Sequence, residues 1–302
     1  MDFDNHPCFN SDARHRAARI HLPVAPKCNV QCNYCDRRFD CPNESRPGVS
    51  SALLTPWQAA HYLDEAVLRM PGIAVTGIAG PGDPFASPEE TMETLALLRE
   101  RHPDMMLCVA TNGLNVEAHA AELARLAVSH VTITVNSIEP SIGAEIYAWV
   151  RDGYRVHRGV EAARLLWMRQ RSAIVSLKRL GLIVKVNTIM IPGVNEEHVP
   201  AVAAEMAALG ADVMNCVPLY PVAETPFAGK PSLEPARIAG IRAAAGNHVR
   251  QMSHCARCRA DAAGIIGGSQ PAELVELLRT TAAGPLKPGE RRPYVAAASL
   301  EG

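Results

Sequence analysis

The stretch CNVQCNYC places three thiols, Cys28, Cys32 and Cys35, at C-x3-C-x2-C spacing. Three thiolates can hold three irons of a four-iron cubane and leave the fourth iron open to an outside ligand. A structural zinc asks for four closed ligands, usually from two C-x-x-C pairs, which this spacing does not supply by itself. The chain carries nine cysteines. An odd count in a sequence with no secretory signal argues against a disulfide framework, so metal binding or redox chemistry is the leading use.

Six cysteines lie outside the loop. Cys255 and Cys258 form a C-x-x-C in HCARCRADAAG, beside His254, a spacing that also serves a zinc half-site or a redox pair. Cys41 follows the loop in FDCPNESRPG, which also contains Glu44, and Cys108 stands three residues before ATNG's Thr111. Cys8 in HPCFN and His21 in RIHLPV complete a set of soft ligands, although a lone strand histidine is commonly a satisfied core residue. Cys216 in VMNCVPL reads as a small buried hydrophobe.

Around these lie candidates for binding an amino acid or nucleoside. GIAGPGDP offers Gly80 and Gly82, where backbone can approach closely, and Asp83, whose carboxylate suits an ammonium. The same residues also spell an ordinary Gly-Pro turn. Asn112, Asn136 and Asn187 each fall near the end of an expected strand, placed to bond carboxylate or ribose, although asparagine is common in turns.

The elements that must position these residues follow a repeated βα pattern. Strands are expected at 18–24, 73–80, 105–111, 131–136, 182–190 and 212–219, with helices at 56–70, 88–101, 116–128, 158–180, 196–209, 233–246 and 271–281. Thr55-Pro56 and Ser87-Pro88 each put a capping hydroxyl before a proline suited to the first helical turn. Six βα units are too few for a closed eight-stranded barrel. An open, curved partial barrel or a doubly wound sheet remains, and in either the chemistry gathers at the carboxyl ends of the strands. The proline-rich, charged tail 282–302 is expected to be poorly ordered.

The 302 residues contain 30 basic and 31 acidic side chains, so no global field draws the chain to nucleic acid or to an anionic membrane. Neither an apolar signal core nor a run of eighteen apolar residues is present, and a cytoplasmic protein is expected. Arg14, Arg16, Arg19, Arg37, Arg38 and Arg46 crowd the cysteine-bearing segments, either as solvated charges or as partners of an anionic ligand.

CNVQCNYC, with Tyr34 before its third cysteine, resembles the C-x3-C-x-aromatic-C motif of the radical S-adenosylmethionine enzymes. The resemblance implies a partial (β/α)6 TIM-like barrel and a [4Fe–4S] cluster whose open iron chelates S-adenosylmethionine. Gly80, Gly82 and Asp83 then fall where that family contacts the methionine amino group. HPCFN, RIHLPVAPKCNVQCNYCDRRFDCPNESRPGVSS, AGPGDP, VATNG and CARCRADAAG together resemble the nitrogenase cofactor maturases within that superfamily, over roughly residues 6–281.

That second resemblance implies an enzyme of lyase or transferase type. It fuses two further [4Fe–4S] substrate clusters into an eight-iron, carbide-centred precursor by methyl transfer and 5′-deoxyadenosyl radical hydrogen abstraction, with an added sulfur. It implies partners that donate iron–sulfur clusters and carriers or scaffolds that accept the product. Longer members carry a C-terminal carrier-like domain that this sequence does not include, so the precursor is expected to pass to a separate protein or to dissociate for direct capture. Residues 1–17 would contribute a cluster ligand, 18–230 the barrel, and 231–281 a helical extension bearing the C-x-x-C. Cys8, Cys41, Cys108 and His21 would surround one substrate cluster, with Glu44 as a further exchangeable ligand, and Cys255 and Cys258 the other. Another radical maturase with auxiliary clusters, acting on a peptide or small molecule, shares the cysteine loop but has no need of HPCFN or RIHLPV. A non-catalytic metal or cluster scaffold has no need of AGPGDP.

Overall fold

A computed structural model describes residues 6–43 and 48–293. Its strands are β1 (Ala18–His21), β2 (Val30–Cys32), β3 (Ile73–Ile78), β4 (Met106–Thr111), β5 (Val128–Thr134), β6 (Tyr147–Asp152), β7 (Arg155–His157), β8 (Ile183–Met190), β9 (Val213–Pro218) and β10 (Ala263–Gly264). Its helices are α1 (Pro56–Arg69), α2 (Pro88–Arg101), α3 (Ala120–Arg125), α4 (Pro140–Ile146), α5 (Gly159–Arg179), α6 (Val199–Ala208), α7 (Pro235–Gly246) and α8 (Ala272–Ala283).

One sheet has the order β10-β1-β3-β4-β5-β8-β9, and the six strands from β1 to β9 run parallel to their neighbours. All six parallel strands line a single cavity, through His21, Ile78, Cys108, Thr132, Lys185 and Asn215 among others. A sheet that turns residues of six strands toward one enclosed space must curl around it, which selects the partial barrel over the doubly wound sheet. The opposite face carries Ile20, Leu107, Val131, Val184 and Met214, which are buried in the core with α-helical residues such as Leu63, Leu95 and Ile174. Cys216 lies fully buried in the same core.

The six expected strands and seven expected helical regions are found, with shifted ends. Residues 116–128 form a short 3-10 turn and α3, and β5 then starts three residues earlier than its pattern indicated. A second sheet, β2-β6-β7, and the short edge strand β10 were not legible in the sequence. At α1 the expected cap is present: Gln58 N donates to Thr55 Oγ1 at 3.3 Å, and Gln58 Oε1 accepts from Thr55 N at 3.2 Å. At α2 it is not, because Ser87 makes no side-chain cap bond. There Thr91 Oγ1 instead donates to Pro84 O at 2.7 Å.

The expected poorly ordered tail is tied down through residue 293. Glu290 accepts from Thr55 Oγ1 at 2.9 Å and Trp57 N at 3.2 Å, placing a carboxylate at the α1 N-terminus. Arg292 donates to Ala283 O and Gly284 O at 2.9 and 3.0 Å, where the last carbonyls of α8 lack helical donors. No helix among the described residues is long and apolar enough to cross a membrane.

Candidate active site

The cysteine loop is held from three sides. Cys32 ends β2 opposite Tyr147 of β6, and Asn33 N donates to Ile146 O at 2.8 Å. Gln31 Nε2 donates to Cys35 O at 2.6 Å, drawing the loop over itself. Below it, Gly82 N donates to Ala25 O and Asp83 N to Lys27 O, both at 2.6 Å, so GPGDP is zipped to the segment leading into Cys28. A Cβ on Gly82 would sit 2.0 Å from Lys27 O, and this approach demands glycine. Gly80 has φ +149° and its Cβ would lie 3.1 Å from Ala260. These glycines act through backbone packing.

Cys28, Cys32, Cys35 and Cys41 line one cavity with Arg37, Asn43, Gly82, Asp83, Thr111, Asn112 and Thr134. Burial pushes the Cys35 thiol up to about 12 and raises Cys28 and Cys32 as well. Arg37 lies close enough to Cys28, Cys35 and Cys41 to feel their charge, and it supplies a cation where thiolates must form. Among the described residues no group of three or more His, Cys, Asp or Glu side chains is gathered for a single metal ion. Three loop thiols lining one cavity suit three irons of a cubane, each thiolate binding a different iron.

Asp83 is buried on the same wall and accepts from Asn112 N at 2.6 Å, Phe85 N at 2.9 Å and Thr111 Oγ1 at 2.9 Å. Burial raises its carboxyl above the usual range, and these hydrogen bonds oppose that rise. Asn112 Nδ2 bridges to Asn29 Oδ1 at 2.7 Å and faces Cys28 Sγ at 3.8 Å. Asn136 lines neither cavity. It donates to Tyr34 Oη at 2.6 Å and accepts from Ile189 N at 2.9 Å, so its side chain joins the buried Tyr34 of the loop to β8. Tyr34 passes the contact on, donating to Asn43 Oδ1 at 2.5 Å.

A second cavity is lined by Cys8, His21, Cys108, Cys255 and Cys258, together with His6, Lys185, Asn187 and Asn215. Asn43 and Ala110 line both cavities, so the two adjoin. Asn187 therefore faces the second cavity, donating to Asn43 O at 3.0 Å. Cys41 lies in the first cavity, whereas Cys8, His21 and Cys108 share theirs with Cys255 and Cys258. Glu44 and Arg46 lie outside the described residues.

The N-terminal segment carries Cys8 against β8 and β9, where Phe9 packs with Ile183, Val213 and Met252. The segment after the C-x-x-C is fixed by β10, which pairs with β1 through Ile20 and Ala263. This pairing brings Arg19 beside Cys258, with its guanidinium 3.0 Å from Sγ, and His21 Nδ1 to 3.0 Å from Arg259 O. A carbonyl only accepts, so Nδ1 carries the proton and Nε2 keeps its lone pair, the arrangement found behind metal-binding histidines. Burial pushes His21 down to about 4 and keeps it neutral. Gly77 makes the room: a Cβ there would stand 2.7 Å from Cys108 Sγ and 3.3 Å from His21 Cδ2.

The other arginines divide. Arg38 pairs with Asp36 and Glu224, Arg14 lines a surface groove with His254 and Cys255, and Arg16 lies away from both cavities beside Arg101 and His102. Sequence reasoning passed over His6 and Lys185. Lys185 shares the period-2 face of Asn187 on β8, and that spacing was the available signal.

Residues 22–206 match the Radical SAM superfamily, and the chain belongs to it. The fold agrees: SuiB of Streptococcus suis bound to S-adenosylmethionine superposes with TM-score 0.58 at 13% identity, covering 80% of this chain and 54% of that one. Methylornithine synthase PylB superposes with TM-score 0.52 at 14% identity, covering 88% and 82%. Membership implies a [4Fe–4S] cluster and S-adenosylmethionine, and the first cavity's three loop thiols and open wall fit both.

Within the superfamily the chain belongs to the NifB family. It is 55% identical over 302 residues to the FeMo cofactor biosynthesis protein NifB of Chlorobaculum tepidum, covering all of this chain and 71% of that protein. It is 44% identical over 277 residues to NifB of Klebsiella pneumoniae and 43% over 269 residues to NifB of Azotobacter vinelandii. Of those two relatives it spans 59% and 53%.

Proposed function

We propose that the chain takes part in FeMo cofactor biosynthesis by fusing two [4Fe–4S] substrate clusters around a carbon from S-adenosylmethionine, giving an eight-iron precursor. The adjoining cavities carry this reading: a three-thiol loop on one side of Asn43 and Ala110, and five soft ligands on the other. The resident cluster, when bound by Cys28, Cys32 and Cys35, supplies an electron that breaks the C5′–S bond of S-adenosylmethionine.

The chain's residues bind and orient. Asp83 and Asn112 would meet the amino acid end of S-adenosylmethionine, and Arg37 would offset thiolate charge. Substrate clusters enter the second cavity on Cys8, His21, Cys108, Cys255 and Cys258. These are too few to saturate two cubanes, so some irons stay open to rearrangement. Neutral His21 offers weaker, exchangeable ligation than thiolate, and Lys185 adds a cation beside anionic substrate. Methyl transfer to a substrate sulfide precedes hydrogen abstraction by the deoxyadenosyl radical from a second S-adenosylmethionine. The two remaining hydrogens would leave as protons, with the electrons for the carbide drawn from the substrate irons, and a sulfur supplied from outside the chain would complete the core. Residues 6–17 and 231–281 act here as extensions that close the barrel's cavity, and the product passes to a carrier or scaffold protein of that pathway.

Feeding S-adenosylmethionine labelled at its methyl carbon tests this reading. Label recovered in an extracted eight-iron cluster is expected, and label found only in small-molecule products would contradict it.

A further inference from the structure

Arg19 is a buried cation whose charge nothing described so far employs. It stands two residues before His21 on β1, on the same face of the strand, while Ile20 between them turns into the core. Its Nη1 donates to Gly264 O and its Nη2 to Cys258 Sγ at 3.0 Å, and its Nε is buried with no hydrogen-bond partner. Among the described residues no carboxylate pairs with it, since Asp261 on the facing segment is taken by Arg259 at 2.9 Å.

A buried guanidinium without a counter-charge is costly, and arginine cannot shed its proton to escape that cost. The group at its tip that can turn anionic is Cys258, and it does so when the thiol gives up its proton to bind iron. A charge-assisted N–H···S bond is then formed where the apo protein has a neutral one. Cys255, the other cysteine of the C-x-x-C, is exposed and accepts no hydrogen bond among the described residues. The two thiols therefore differ as ligands although they are three residues apart.

We propose that Arg19 is a positioning residue for substrate: it holds the Cys258 sulfur by a charge-assisted hydrogen bond and, through that sulfur, raises the reduction potential of the four-iron cluster seated there. The inference rests on the cluster-fusion reading above. Hydrogen bonds to ligand sulfur draw charge away from the irons and are one of the means by which a protein sets an iron–sulfur potential. A cation at this place favours the reduced, more negative cluster, the state from which electrons for the carbide are drawn.

The test uses the full chain as the variant Cys28→Ala/Cys32→Ala/Cys35→Ala, so that only second-cavity clusters are reconstituted, and follows their reduction by electron paramagnetic resonance in a potential titration. Adding Arg19→Gln keeps a donor for Gly264 O and removes the charge. At unchanged iron content it should shift the reduction equilibrium about tenfold toward the oxidised cluster, a midpoint about 59 mV lower for one electron. Arg19→Lys keeps the charge without the planar fork and should fall between the two. An unmoved midpoint at full iron content, or iron lost with the midpoint of the remaining cluster unmoved, would leave Arg19 a structural part only and overturn the assignment. Should Arg19→Gln fail to fold, Arg19→Lys decides alone, a lowered midpoint supporting the assignment and an unshifted one overturning it. If the loop variant takes up no iron at all, the fusion reading fails and the inference with it, whereas clusters that load and do not shift remove the inference alone.

Discussion

His21 Nδ1 stands 3.0 Å from the carbonyl oxygen of Arg259, the residue after Cys258. One hydrogen bond thereby joins the strand that carries a candidate nitrogen ligand to the segment that carries the C-x-x-C. It fixes the ring's tautomer before any metal arrives, and a change on either segment is felt by the other.

Burial holds His21 neutral, with its titration pushed down to about 4 from an ordinary value near 6.5. A lowered folded value means that the stability it gives is present above pH 6.5 and is lost as pH falls toward 4. The melting-temperature gap between apo wild type and His21→Gln should narrow from pH 7.5 to pH 4.5. A gap that widens on acidification would contradict this environment for the ring.

Gly77→Ala should disturb the second cavity selectively. Its methyl would meet Cys108 Sγ at 2.7 Å and His21 Cδ2 at 3.3 Å, an overpacking cost of about 1–3 kcal/mol. The expected outcome is a lower Tm and loss of iron beyond the first cluster, while S-adenosylmethionine binding persists. Full iron content in this variant would show that Cys108 and His21 do not hold substrate.

Asp83→Asn replaces an all-acceptor group that meets two backbone N–H donors and a hydroxyl. An amide NH2 turned toward those donors leaves them unpaired, at about 1–3 kcal/mol. Calorimetric titration should show weaker S-adenosylmethionine binding along with a reduced Tm. Unchanged affinity would remove Asp83 from the binding wall.

The two helix starts make opposite predictions from the same sequence signal. Thr55→Ala removes a formed capping box that also receives Glu290, and should cost about 1 kcal/mol. Ser87→Ala removes no cap bond and should stay within about 0.5 kcal/mol. Chemical denaturation of the two variants decides between them.

The parallel βα order was legible because β-branched runs alternate with capped helical segments, although that pattern left a partial barrel and a doubly wound sheet both open, and the cysteine loop was legible because its spacing falls at a strand end. Other features depend on contacts that spacing does not encode. The β2 strand is only three residues long and takes its partner from β6, more than a hundred residues later. Asn136 reads like a strand-end ligand residue, yet its amide donates to Tyr34 and accepts from Ile189. Cys41 follows the loop closely and stays with it, while Cys255 and Cys258 join Cys8 and Cys108 because β10 zips onto β1. The 284–293 segment looked disordered by composition, but Glu290 and Arg292 spend their charges on two helix ends.

The most direct test of the two-cavity account is anaerobic. Iron per chain is quantified after reconstitution, then dithionite and S-adenosylmethionine are added and 5′-deoxyadenosine and S-adenosylhomocysteine are measured together. About twelve irons, three cubanes' worth, with both products is the predicted result. About four irons with 5′-deoxyadenosine alone would contradict cluster fusion and leave a radical enzyme of another kind.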